Sequence, residues 1–254
     1  MNEDKTKNSI EEKIIGKIKS GEVKMKPKIY FIAVTALITL GILITIGFAL
    51  FITSFIIFSL HSSGSWFLPR FGTKGIGAFF MEMPWFLVIL ASLFIILTYF
   101  FGRRFSFAYR NPLIYFAAII LVAVVAGSFI VAKTPLHKGL YLRAQNKYPM
   151  MPMVGQFYKD YGPKKPDQVH FGVVLDQNEN GFKIKTPNNE EVQIIVTDDT
   201  HFVFDNDINV GDSIMVGGEN VSSTIEAFGI RKISSDEDEN FIYSPHGMQM
   251  RRWR

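Results

Sequence analysis

Five histidines, His61, His137, His170, His201 and His246, are the side chains of this 254-residue chain best suited to acid–base or metal chemistry, since it contains no cysteine. None stands at metal-ligand spacing from another, and no HExxH stretch, nucleotide loop or serine-nucleophile motif occurs. The absence of thiols removes disulfides and thiolate metal sites as well. Asp205-Asn206-Asp207-Ile208-Asn209 has the opening of a calcium loop, but the sixth position, which must be glycine, is Val210, and the twelfth, which must be an acid, is Val216. That stretch reads as an acidic, solvated turn. His170 and His201 lie in separate stretches of strand pattern and read as rim or surface residues. Ser128 and Lys133 are the pair to test for a Ser/Lys membrane protease; their separation of five turns them about 140° apart on a helix, so they do not share a face. No cofactor and no catalytic constellation is expected, and the chain does not read as an enzyme. The charges that remain as binding candidates are Arg70, Lys74, Lys133, Lys138 and Arg143, which flank apolar runs and would find their counter-ions in anionic lipid headgroups.

Those runs define the first half of the chain. Residues 29–60 hold no charged side chain over 32 positions, more than the roughly 20 a helix needs to cross a bilayer. Residues 84–101 form a second run, with Pro84 at a tolerated helix start and Trp85 and Tyr99 as interface anchors. Residues 112–132 form a third, in which Ala123 and Gly127 make a small-xxx-small pair suited to close packing against another span or another copy. The expected fold class is therefore membrane α-helical, with three transmembrane helices, followed by a separate domain. No Asp, Glu, Lys, Arg or His lies inside the three runs, which argues against a pump or secondary transporter. The loop 61–83 mixes glycines with Trp66, Phe67, Phe71, Phe79 and Phe80. Arg70 and Lys74 would each cost about 2.5–3.5 kcal/mol at the bilayer centre, so this loop is expected to rest its rings at headgroup depth.

Residues 1–28 are polar and carry one helical signal, the Ser9/Glu12 capping box followed by Ile10, Ile14 and Ile18. A surface helix is expected there, and with no cleavage-site pattern after it the first run is expected to remain an anchor. After the third run, residues 133–165 carry seven Lys or Arg against the single Asp160. Leu136, Leu140, Tyr141 and Ala144 keep helical spacing before prolines interrupt it, giving an amphipathic basic stalk.

From Pro166 the period becomes two. Val169, Phe171, Val173 and Leu175 alternate, as do Phe182, Ile184 and Thr186, and Val192, Ile194 and Val196. Further short strands are expected at 201–204, 213–217 and 224–233, the last with apolar residues on both faces and Gly229 inside it, as at a barrel corner. Six short strands in residues 166–233 need closure to remove exposed edges, which predicts an all-β small OB-like barrel. The tail 234–254 is expected to lack structure.

Gly172-Val173-Val174, Gly211-Asp212-Ser213-Ile214-Met215-Val216-Gly217-Gly218-Glu219 and Ile225-Glu226-Ala227-Phe228-Gly229-Ile230-Arg231-Lys232-Ile233 resemble the small β-barrel modules of unknown function carried by many bacterial membrane and secreted proteins. With Gly21-Glu22-Val23-Lys24-Met25-Lys26-Pro27-Lys28, the order of parts is similar to uncharacterised bacterial three-span membrane proteins with a C-terminal small OB-like barrel. The shared motifs are turns and core positions, so the resemblance implies no catalytic residue.

Residues 166–233 contain twelve Asp or Glu and four Lys or Arg, a balance of −8, which would repel nucleic acid. Nine Lys or Arg (Lys13, Lys17, Lys19, Lys24, Lys26, Lys28, Arg103, Arg104, Arg110) flank one side of the runs, and six (Arg70, Lys74, Lys133, Lys138, Arg143, Lys147) the other. The positive-inside rule then puts the N-terminus in the cytoplasm and the barrel outside a bacterial cytoplasmic membrane. The expected function is membrane-anchored display of an acidic extracytoplasmic barrel as a binding or assembly module, its partners being the lipid bilayer and an envelope protein or a second copy. A membrane-embedded lipid-handling protein, using the loop 61–83 and the basic collar, is the alternative. A signalling anchor working through the Ser9 to Lys19 helix is a third.

Overall fold

The structure is a computed structural model that describes residues 16, 27–103, 113–145, 152–178, 180–203, 208–221, 224–234 and 241. The expected helix at residues 9–19 (apart from Gly16), Arg104, Arg110, Lys147, Asp205 to Asp207 and the tail apart from Ser234 and Phe241 lie outside the described residues. The chain divides into two compact units, Met1–Thr45 and Ile46–Arg254, with the division falling inside the first helix.

That helix, α1, runs Lys28–Ser63. Its 36 residues are long enough, at 1.5 Å per residue, for about 54 Å. In the first unit it is an apolar helix with exposed Ile29, Phe31, Ile32, Leu37 and Leu40, whose threonines bond back to their own backbone, Thr39 to Thr35 and Thr45 to Gly41 and Ile42.

In the second unit, the remainder of α1 leads through Gly64, in the left-handed region, into a 3₁₀ turn at Ser65–Phe71. Then come α2 (Gly72–Glu82), α3 (Trp85–Gly102), α4 (Leu113–Lys133), α5 (Leu136–Ala144) and α6 (Pro152–Tyr161). Two of the helices, α1 and α3, are long and apolar enough to cross a membrane, and the count becomes three if the pair bent by 62° between α4 and α5 is one span. The bend falls at Thr134-Pro135, where proline lacks the N–H a continuing helix needs and pushes its predecessor out of helical geometry.

Within residues 133–165, where an amphipathic basic stalk is expected, the described helices pack on the apolar ones. Tyr141 and Ala144 of α5 and Tyr158 of α6 are buried in one cluster with Ile52, Phe55 and Phe58 of α1 and Leu87 and Ala91 of α3. The buried stripe of α5 is His137, Tyr141 and Ala144, while Leu136 is exposed.

The domain that follows is a closed five-stranded barrel in the order β1-β2-β3-β5-β4, with β4 returning to β1. The strands are β1 Val169–Asn178, β2 Gly181–Lys185, β3 Glu191–Val203, β4 Ser213–Val221 and β5 Thr224–Lys232; only β3 and β5 pair in parallel. Among the described residues five strands replace the six expected, because those expected at 192–196 and from 201 onward join into one strand, Glu191–Val203, across an irregularity between Val196 and His201. There Thr200 bridges the break: its hydroxyl donates to the Ala227 carbonyl at 2.7 Å and accepts the Thr197 N–H at 2.9 Å.

Three strands are apolar on both faces. Val174, Ile214, Val216, Ile225, Ala227 and Ile230 join Phe182, Ile184 and Ile194 in the barrel interior. Val169, Phe171, Met215 and Phe228 point the other way and pack with Phe67, Leu68 and Phe71 of the 3₁₀ turn and Ala78 of α2. The outer face of β1, β4 and β5 is thus covered by the segment 65–82. Gly217 and Gly229 face each other across β4 and β5, and a Cβ on either would overlap the Phe71 ring, 2.8 Å away from Gly217 and 2.0 Å from Gly229. Gly229 is therefore a seat for Phe71, at the point where the register of β5 shifts against both of its neighbours. The Arg231 guanidinium lies 4.1 Å from the centre of the Phe67 ring, completing the same contact. These contacts also revise the expectation for the loop 61–83. It is largely helical, and Phe67 and Phe71 turn into the protein, whereas Phe80 stays exposed, stacked on exposed Trp85 whose indole N–H donates to the Phe80 carbonyl at 3.0 Å. At the end of α2 the Glu82 carboxylate accepts the Asp167 N–H at 2.8 Å, tying the helix to the approach to β1; burial raises its pKa.

Candidate functional site

Two places gather polar side chains, and they differ in whether solvent reaches them. The first is a crevice of about 290 Å³ between the start of α2 and the irregular middle of β3. Thr73 and Lys74 line it from α2, and Asp198, Asp199, Thr200 and His201 from β3, together with Phe71 and Phe228. Local backbone explains this wall-to-wall placement. Gly72 opens α2 at φ +74, and a side chain there would strike the His201 ring, whose Nε2 lies 2.6 Å from the Cβ position. The same break in β3 that Thr200 bridges turns Asp198 and Asp199 outward. Among the described residues no group of three or more His, Asp or Glu gathers as a metal site would, so the crevice offers charge and hydrogen bonds, not a cation cage.

The second is dry. His137, Ser54 and Tyr158 are fully buried and come from α5, α1 and α6. Ser54 Oγ lies 2.8 Å from His137 Nε2, and Tyr158 Oη 2.6 Å from His137 Nδ1. Ser54 Oγ also lies 2.9 Å from the Phe51 carbonyl oxygen, to which it donates. Each hydroxyl has one proton, and that decides the direction of the chain. With Ser54 donating to Phe51, Nε2–H must donate to Ser54 and Tyr158 O–H to Nδ1, and every polar atom is satisfied. The reverse order would leave the Tyr158 proton without an acceptor among the described residues. In that arrangement the imidazole nitrogen facing Ser54 carries the proton, and the trio acts as a lock between three helices. Phe51, Phe55 and Phe58 surround the ring with centroids 5.4, 5.8 and 5.5 Å away. In the sequence Ser54 lies hidden in an apolar run, and the one signal for the group is the i, i+4, i+7 stripe His137, Tyr141, Ala144.

The residues singled out from sequence are scattered. Arg70 is exposed at the end of the 3₁₀ turn, its guanidinium 5.5 Å from the Phe67 ring centre, and Lys74 alone of the basic candidates lines the crevice. Lys133 is exposed at the end of α4, and Lys138 and Arg143 are exposed on α5 opposite its buried stripe. Ala123 and Gly127 are split: a Cβ on Gly127 would meet Leu50 at 2.8 Å, whereas Ala123 is exposed and the contact is filled by Val124 and by Ser128, whose hydroxyl donates to the Leu50 carbonyl at 3.2 Å. Ser128 is thus engaged with α1 while Lys133 is exposed. His170, half-buried, lies 3.3 Å from the Gly218 carbonyl oxygen and has its pKa lowered by burial. It does not meet His201, since β1 and β3 are not paired. Of the calcium-loop stretch, Ile208 is buried in the barrel interior and the Asn209 N–H donates to Asp212.

No protein-family model, curated protein or solved structure matches this chain.

Proposed function

We propose that the chain is a three-span protein of a bacterial cytoplasmic membrane that holds an acidic OB-like barrel rigidly on the outer side as a binding or assembly module. The observation that carries this reading is the seating of Phe71 on Gly217 and Gly229. A barrel tethered by a flexible stalk samples all orientations, whereas one whose β1-β4-β5 face is buried on the segment between α1 and α3 presents a single remaining face. That face belongs to β2 and β3, where Lys183, Lys185, Glu191, Gln193 and Ile195 are exposed or half-buried. The 21 residues of α4 support a third crossing, and the strand order with its parallel β3/β5 closure supports the OB-like reading. The acid excess of residues 166–233 favours a protein or cationic partner over nucleic acid.

The lack of native cysteine makes the test direct. With Gln193→Cys on the free face, a membrane-impermeant maleimide should label intact cells as fully as permeabilised ones; labelling that needs permeabilisation refutes the outer placement. A photo-crosslinker at Ile195 should give a discrete adduct with an envelope protein or a second copy, and its absence there refutes the binding role.

The lipid-handling alternative keeps one supporting observation, the position of Lys74 in the crevice. The aromatic rings meant to grip lipid are otherwise engaged, since Phe67 and Phe71 pack on the barrel.

A further inference from the structure

Charges of both signs line the crevice between α2 and β3, and among the described residues no hydrogen bond or ion pair engages the side chains of Lys74, Asp198 or Asp199. Elsewhere on the barrel two pairs of opposite charges do meet: Lys183 pairs with Glu191 at 2.7 Å, and Lys232 with Asp212 at 2.6 Å. The crevice charges are held apart by their supports. Lys74 sits in the first turn of a helix whose entry is pinned by buried Phe71, and the two aspartates sit on a break in β3 that Thr200 pins to Ala227. The first turn of α2 has no side-chain cap, so its dipole adds to the positive end of the crevice. Unpaired opposite charges held open across a gap suit a ligand that carries both.

We propose that this crevice binds a small zwitterion with an ammonium group and a phosphate or carboxylate a few atoms apart. The ammonium faces Asp198 and Asp199, and the anion faces Lys74, with Thr73 and His201 as hydrogen-bonding neighbours. The carbon linker lies against Phe71 and Phe228. A volume of about 290 Å³ is just under the roughly 300–1,000 Å³ of drug-sized pockets and so suits a headgroup-sized molecule. Ethanolamine phospholipid headgroups and free solutes share this chemistry. The exposed apolar residues Ile76 and Phe80 on the same helix give a membrane-borne ligand a route to it. The inference rests on the crevice and is independent of which side of the membrane the barrel occupies.

The test is calorimetric titration of the full-length protein in maltoside micelles with glycerophosphoethanolamine, glycerophosphate and ethanolamine. Saturable binding of the first is expected, with each half, which carries charge of one sign only, at least tenfold weaker. Lys74→Ala and the double change Asp198→Asn, Asp199→Asn should each weaken binding about tenfold. Both should leave circular dichroism and the unfolding midpoint unchanged, because these exposed side chains hold nothing else. No saturable heat from a folded protein, equal affinity for glycerophosphate, or indifference to both variants overturns the proposal. Native mass spectrometry from nanodiscs of mixed phosphatidylethanolamine and phosphatidylglycerol then separates the sources. Selective retention of phosphatidylethanolamine, lost in Lys74→Ala, assigns a lipid; binding of the soluble headgroup without such retention assigns a free solute.

Discussion

Replacing Gly229 by alanine drives a methyl group into the Phe71 ring. The added Cβ would lie 2.0 Å from Cγ, 2.3 Å from Cδ1 and 2.4 Å from Cβ of Phe71, where carbon atoms prefer about 3.5–4.0 Å. The ring must retreat by well over an ångström. It has little room to do so, because it is 1 % exposed and Gly217 flanks it from the paired strand. The cost should be near the upper end of the roughly 1–3 kcal/mol typical of overpacking. Phe71→Ala removes the ring and leaves a void, which should cost about 3–5 kcal/mol. The two changes are not independent. With the ring gone, the alanine methyl enters the void, so the double variant should be no less stable than Phe71→Ala alone, a coupling of about 1–3 kcal/mol. Hydrogen exchange of the β4 and β5 amides in the micelle-solubilised full chain measures this, each tenfold gain in exchange corresponding to about 1.4 kcal/mol. Costs that add to within about 0.5 kcal/mol would refute the seating of Phe71 on the barrel, and with it the rigid presentation of the β2-β3 face.

The buried lock yields a second cycle. Tyr158→Phe removes the donor to Nδ1 and Ser54→Ala the acceptor of Nε2–H, and each should cost about 1–3 kcal/mol in thermal unfolding of the helical part; a cost near zero for both would mean the network is not formed. Acid should act through Asp212, whose hydrogen bond from Lys232 holds its pKa below the ordinary value, helped by the Asn209 N–H. A lowered carboxylate pKa contributes stability that is present above the unfolded value and is lost as pH falls through the folded one. Barrel unfolding midpoints should therefore drop below about pH 4 in the wild type, and the drop should be smaller in Asp212→Asn; identical acid profiles would remove Asp212 from the account.

Much of the architecture was written in local pattern. Long uncharged runs need no partner to declare themselves as helices able to cross a membrane, and period-two alternation with turn residues announced the strands of the barrel. Charge was equally legible, because an acid excess over residues 166–233 is a sum over residues and does not depend on their arrangement. What escaped was everything that depends on which side chains meet. Aromatic residues between two apolar runs look the same whether they face headgroups or a protein surface; only the apposition of Gly217 and Gly229 in the folded sheet creates the flat seat that takes Phe71. Two-faced apolar strands likewise do not tell what covers their second face. Ser54, His137 and Tyr158 are separated by 83 and 21 positions, and their chain of hydrogen bonds exists only because three helices pack together. The crevice has the same origin. Lys74 and Asp198 are remote in the chain, so no spacing rule could pair them, and a charge-lined gap is a property of surfaces held at a distance by the fold.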